Sequence, residues 1–164
     1  ASHSGVHFLF QKGQKMSTTE TLTKTGELAG LIYKNMKMGA DAIINLLPKS
    51  DDAIKSHMTS VLDGYELFAR RARKVLDDEG LEPREEGAMA KMGARMGMSM
   101  KTMVDSTSSH IAELLMEGCV MGICETTRTL RNFENSNCSE DMLKLCREII
   151  GFEEKNFEQA RRFL

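Results

Sequence analysis

The chain has 164 residues, a formal net charge of -2 at pH 7 and interspersed acidic and basic side chains, so it is long enough for one well-filled core and offers no positive field for nucleic acid. Two prolines, two tyrosines and no tryptophan, with long runs of Ala, Leu, Met, Glu, Lys and Arg, point to helices rather than sheet. No run approaches the roughly 20 apolar residues of a membrane span, and Cys119, Cys124, Cys138 and Cys146 lack the CxxC pairing of a zinc site, which fits a reduced, cytoplasmic protein.

The opening ASHSGVHFLFQKGQK has no charged start, long apolar core or cleavage site of a secretory signal, and Met16 follows it as a natural initiator. Residues 1–18 are therefore expected to be a leader or vector-derived tail, partly disordered, and residues 19–164 the folded domain. From about Thr19 to Leu47 the positions Leu28, Leu31, Ile32, Met38, Ala42, Ile43 and Leu46 trace one helix face, which Pro48 stops. Asn35 falls inside that stripe and is expected to be a core amide with a hydrogen-bond partner.

Asp51 or Ser50 can cap a second helix with the face Ile54, Met58, Val61, Leu62, Tyr65, Phe68, Ala72, Val75 and Leu76. Gly80 followed by Leu81 reads as its left-handed cap. The basic run Arg70 to Lys74 has acidic neighbours at Glu66, Asp77, Asp78 and Glu79, the pattern of a solvated face. Past Pro83 a third helix carries Met89, Met92, Met96, Met100 and Met103 at helical spacing, with Gly93 and Gly97 four apart. Helical periodicity alone accounts for this face, so core or groove packing is favoured over copper binding.

The segment DSTSS from Asp105 to Ser109 places capping residues in a row and predicts a break with a new N-cap at Ser106 or Thr107. Beyond it Ile111, Leu114, Leu115, Gly118, Met121, Gly122 and Thr126 form an apolar stripe, with His110, Glu113 and Glu117 along its flank and Glu125 on it. Acidic groups near a buried face must be paired, hydrogen-bonded, protonated or metal-bound. Asn137-Cys138-Ser139-Glu140 has the form of a capping box, and the last helix shows Met142, Leu145, Cys146, Ile149, Phe152, Asn156, Ala160 and Phe163 on one face, with Glu153 at its edge.

Four long amphipathic helices most simply fold as an all-α, antiparallel bundle. From residue 19 onward, helix order and the long, broken third helix resemble the ferritin-like four-helix-bundle superfamily, nearest its uncharacterised bacterial branches; SHIAELLMEGCVMGICETTRTL, starting at Ser109, carries most of the resemblance. Di-iron members of that group need a Glu-x-x-His pair on each of two helices, and no such pair occurs here.

The leading expectation is a non-catalytic bundle that binds or assembles, as a homodimer or higher homo-oligomer joined through helix three, with no nucleic-acid or membrane partner and no resident cofactor. The alternative is a degenerate site for a single divalent metal at His110, Glu113 and Glu117, joined by Glu125 or Glu153 and by Glu27 or Tyr65 from another helix. A protein partner, or an apolar ligand in a methionine-lined gap, is a further option, although the sequence names no polar anchor for such a ligand. No phosphate loop, nucleophile elbow, dinucleotide fingerprint or HExxH is present.

Overall fold

A computed structural model describes residues 4–83 and 105–164, with side chains for 24–83 and 105–164. Among these residues there are four α-helices and no strand: α1 (Ser4–Leu46), α2 (Asp52–Glu79), α3 (Ser108–Phe133) and α4 (Glu140–Ala160). The described residues are thus all-α, as composition and periodicity led one to expect. No helix among the described residues is long and apolar enough to cross a membrane. The methionine face from Met89 to Met103, the Gly93 and Gly97 pair, and hence the first half of the expected third helix and its oligomer contact, lie outside the described residues.

α1 begins at Ser4, ahead of the expected start near Thr19; no proline stands between these positions, so nothing covalent stops a helix there. It ends at Leu46, one residue before a short 3-10 turn, Leu47–Lys49, that contains Pro48. Ser50 closes this corner by donating to Leu46 O at 2.8 Å and lying 3.1 Å from Met58 Sδ. The next residue, Asp51, is the N-cap of α2 and accepts from Ala53 N. At the far end Gly80 is left-handed, at φ 67°, and the amides of Gly80 and Leu81 bond to Asp77 O and Leu76 O, the expected glycine cap.

Contacts along α1 and α2 run in opposite order. Tyr65 meets Gly39, and Glu79 meets Gly26, so the pair is antiparallel. Thr107 caps α3 by accepting from His110 N at 3.3 Å, as the DSTSS segment led one to expect. α4, however, is capped by Ser139, which accepts from Met142 N, and not by Asn137. Ser139 N is itself held 2.9 Å from Thr25 Oγ1 of α1, so a tertiary bond fixes the cap two positions later than local sequence suggested.

Asp51 also reaches α3. It accepts from Ser108 N at 3.0 Å and from the Ser108 hydroxyl, so one carboxylate serves the N-termini of two helices. α2 and α3 therefore start at the same end of the molecule, and α2 finishes at the end opposite to where α3 begins. α4 then runs antiparallel to α2, since Tyr65 pairs with Glu153 and Arg71 with Glu148. The core between the helices is filled by Leu28, Ile32, Met36, Ile54, Met58, Leu76, Ile111, Met142 and Ile149, all at 2% exposure or less. The basic run of α2 faces solvent, with Arg73 bonded to Asp77 and Glu82 and Lys74 to Asp78.

The hydroxyl and amide of Ser108, with the α2 amides, hold the Asp51 carboxyl below its ordinary value of 3.8. A depressed carboxylate stabilises the fold above the unfolded-state value, and that stabilisation is lost as pH falls through the folded-state value. Asp51→Ala is expected to lower the urea midpoint at neutral pH more than Asp52→Ala, and the gap between the two variants should close in acid. Equal midpoints at neutral pH would show that the shared cap contributes nothing.

Candidate functional site

The centre of the bundle is organised by a carboxyl group. Glu153 on α4 is 1% exposed, not at the edge of the stripe as its azimuth suggested. It accepts a hydrogen bond from the Tyr65 hydroxyl of α2 at 3.0 Å, and the Cys119 thiol of α3 is a second donor. Room for it comes from α3: a Cβ on Gly122 would lie 2.6 Å from Glu153 Oε1. The close approach at Gly122 thus admits a side chain and not a helix backbone. Gly39 on α1 makes a matching opening, where a Cβ would lie 2.6 Å from the Tyr65 ring. Phe152 fits against Gly64 and packs edge-on to Tyr65, centroids 5.2 Å apart at 84°.

Burial is the dominant influence on this trio. It pushes the Glu153 carboxyl from 4.5 to about 7, against the opposing pull of the hydrogen bonds from Tyr65 and Cys119. Burial first, and the Glu153 carboxylate second, push Tyr65 and Cys119 well above their ordinary values. Both groups stay neutral donors at physiological pH. Cys119 is thus a poor nucleophile.

A cavity of about 50 Å³ adjoins this trio, between α1, α2, α3 and α4. Tyr65, Cys119 and Gly122 line it on the carboxyl's side, and Met36, Met38, Leu46, Leu114, Leu115 and Met121 give it apolar walls. Its volume exceeds the roughly 10–15 Å³ that one water needs. Five buried side-chain atoms among the described residues lack a hydrogen-bond partner: Asn35 Oδ1, His57 Nε2, Glu79 Oε2, Thr126 Oγ1 and Asn156 Nδ2. All but Glu79 belong to residues lining this cavity. Asn35, Thr126 and Asn156 are 9%, 1% and 5% exposed. Asn35 is buried, as expected, but its carbonyl lacks the expected partner.

Leaving a buried polar atom unmatched costs about 1–3 kcal/mol, a large penalty against a typical fold stability of about 5–15 kcal/mol. Several such atoms around one cavity therefore mark it as a place where something polar is received. Among the described lining residues there is no lysine or arginine. Half-buried His57 stacks on Phe163, centroids 5.8 Å apart, and burial, followed by the nearby Arg162 charge, holds it below its usual 6.5. Glu125 lines the cavity, but its carboxylate is paired with Arg128.

The five residues proposed as metal ligands do not converge on one point. His110 Nδ1 lies 3.4 Å from Glu113 Oε2 at the surface, Glu117 is exposed, Glu125 is engaged by Arg128, and Glu153 is bonded to Tyr65. No group of three or more His, Cys, Asp or Glu side chains able to hold an ion occurs among the described residues. Of the two extra ligands considered, Tyr65 does meet Glu153, whereas Glu27 is exposed and paired with Lys24. Cys119 and Cys146 are buried, whereas Cys124 is exposed. Sequence reading missed the cavity's polar lining, although Asn35, Thr126 and Asn156 each interrupt an apolar stripe and carried that signal. Comparison with protein-family models, with curated proteins and with solved structures finds no match to this chain.

Glu153 sets the expected pH dependence. A carboxyl whose value is raised in the folded state contributes stability that is complete below the unfolded value and is lost as pH rises through the folded one. Between pH 4.5 and about 7 the wild type should therefore lose stability relative to Glu153→Gln, by about 3 kcal/mol at most. Urea unfolding of both proteins across this range measures the effect; parallel profiles would mean the carboxyl titrates as if in water.

Proposed function

We propose that the protein is a non-catalytic binding bundle that takes a small, largely apolar molecule into the cavity between its helices. The observation that carries this reading is the set of buried, partnerless polar atoms of Asn35, Thr126 and Asn156 around a methionine- and leucine-lined space. Pockets for small molecules have this composition: mostly apolar walls with a few placed polar groups that fix orientation. It supplies the anchor that was absent from the sequence-level case for an apolar ligand. A binding role also accords with chemistry that is held quiet, since burial keeps Cys119 protonated and its hydrogen-bonded neighbour is a carboxyl and not an imidazole.

We further infer a ferritin-like arrangement of the helices. That order has one long crossover between its second and third helices, and it is supported by the opposite placement of the α2 C-terminus and the α3 N-terminus. The loss of converging carboxylates and imidazoles would leave such a bundle with an interior free for an organic guest.

Binding is tested by protein-observed NMR with 1-propanol as the probe, a size suited to a cavity of about 50 Å³. Saturable shifts confined to cavity residues such as Leu114, Met121 and Thr126 are expected, and Ala42→Leu, which fills the space from α1, should abolish them while the protein remains folded. Shifts that are spread over the surface and grow without saturation would sink the reading.

A further inference from the structure

Both ends of the chain that joins α2 to α3 are placed. Leu81, just past α2, packs against Gly26 of α1, while Ser108 is held by Asp51 at the other end of the bundle, where α1 finishes at Leu46. Residues 84–104 therefore travel the length of the bundle. At the helical rise of about 1.5 Å per residue they reach about 32 Å, and α1 from Gly26 to Leu46 spans about 30 Å. A helix of that length suffices for the crossing and has no surplus with which to leave the surface. The two helix pairs meet along two grooves. Between α2 and α4, Phe152 fills the space against Gly64, and Arg71 pairs with Glu148 across the opening. Between α1 and α3 the floor is low, because Gly118 and Gly122 carry no side chain. Its rims are half-buried and apolar: Leu31 and Met38 on α1, Leu114 and Met121 on α3.

We propose that residues 84–104 occupy the α1–α3 groove as an amphipathic helix parallel to α1, with Met89, Met92, Met96, Met100 and Met103 turned inward between the rims. Methionine, unbranched and flexible, suits rims that are themselves made of leucine and methionine. Direction and handedness then fix the flanks. A right-handed helix that runs with α1 and faces its methionines inward carries Lys91 and Arg95 on the α3 side and Gly93 and Gly97 on the α1 side. On its side α3 offers Glu113 and Glu117, exposed and at the same four-residue spacing as the two cations. On the other side the two glycines let the backbones approach closely. The occupant of this groove is thus the chain's own connection, and the assignment stands whether or not the cavity binds a guest.

Photo-methionine, a diazirine analogue of nearly the same size, tests the placement without disturbing the fold. Nitrogen-15-labelled and unlabelled full-length chains carrying it are mixed, equilibrated and irradiated, and the cross-linked peptides are read by mass spectrometry. Links from Met92 and Met96 to α1 between Leu31 and Ala42, or to α3 between Leu114 and Met121, are expected, with both peptides bearing the same isotope. Mixed-isotope links would make a second copy the occupant, and links to α2 or α4, or none from this segment, would place it elsewhere; each of these overturns the proposal. Stability gives a second readout. Met96→Lys should lower the urea midpoint and Met98→Lys, about half a turn away from the methionine face, should not. Arg95→Glu should lower it by about 0.3 M, and Glu117→Arg in the same chain should restore most of that loss. Equal effects of the two methionine variants, or a double variant no more stable than Arg95→Glu alone, would show that the segment does not lie in this groove in this orientation.

Discussion

The hydrogen bond from the Tyr65 hydroxyl to the Glu153 carboxyl holds the interior together and dictates the shape of what surrounds it. A carboxyl that is 1% exposed survives only if its oxygens are matched, and a negative charge there is costly even then. Tyr65 supplies one donor from α2 and Cys119 another from α3. Bringing three helices close enough for those bonds requires space for an aromatic ring, a second ring and a carboxyl. Gly39, Gly64 and Gly122 provide it, one on each of α1, α2 and α3. The helix propensity lost at these glycines, about 1 kcal/mol each, is offset by the burial of Tyr65 and Phe152 and by the matched carboxyl.

The same geometry explains what could be read from the residues in order. Apolar positions at three- and four-residue spacing determined the buried faces of α1, α2, α3 and α4, because a helix with an unburied stripe has nowhere else to place it. The caps at Asp51, Thr107 and Gly80 followed from short-range hydrogen bonding and from φ 67° at one glycine. Ser139 could not be inferred in that way. Its amide is fixed by Thr25, more than a hundred residues away in the chain, and no local rule contains that bond. Glu153 is a similar case: spacing gives a side chain's azimuth, but how deep it sits depends on the neighbouring helix, and Gly122 lets α3 receive it.

The acidic spacing on α3 shows the limit of azimuth from the other side. His110, Glu113 and Glu117 do share a flank, and His110 does meet Glu113, as three- and four-residue spacing requires. That flank faces outward. An ion of low coordination number needs donors from a second element to close its shell, and the carboxyl that lies inside, Glu153, is already committed to Tyr65 and Cys119. The partnerless polar residues lining the cavity are two amides, a hydroxyl and the imidazole of His57, a set with a single strong donor for a transition metal.

A core that contains partnerless amides and a hydroxyl is less stable than the same volume filled with leucine, and the difference must be maintained by the remainder of the structure. Here the remainder is well provided for: two antiparallel pairs of long helices, a carboxylate shared between two N-termini, and a contiguous apolar core extending on both sides of the cavity. All but one of the unmatched buried atoms among the described residues belong to the lining of one cavity, a cost that packing alone does not require. The placement of Asn35, Thr126 and Asn156 on three separate helices makes the point sharper. Each breaks its own stripe, so each costs independently, yet all three line the same cavity.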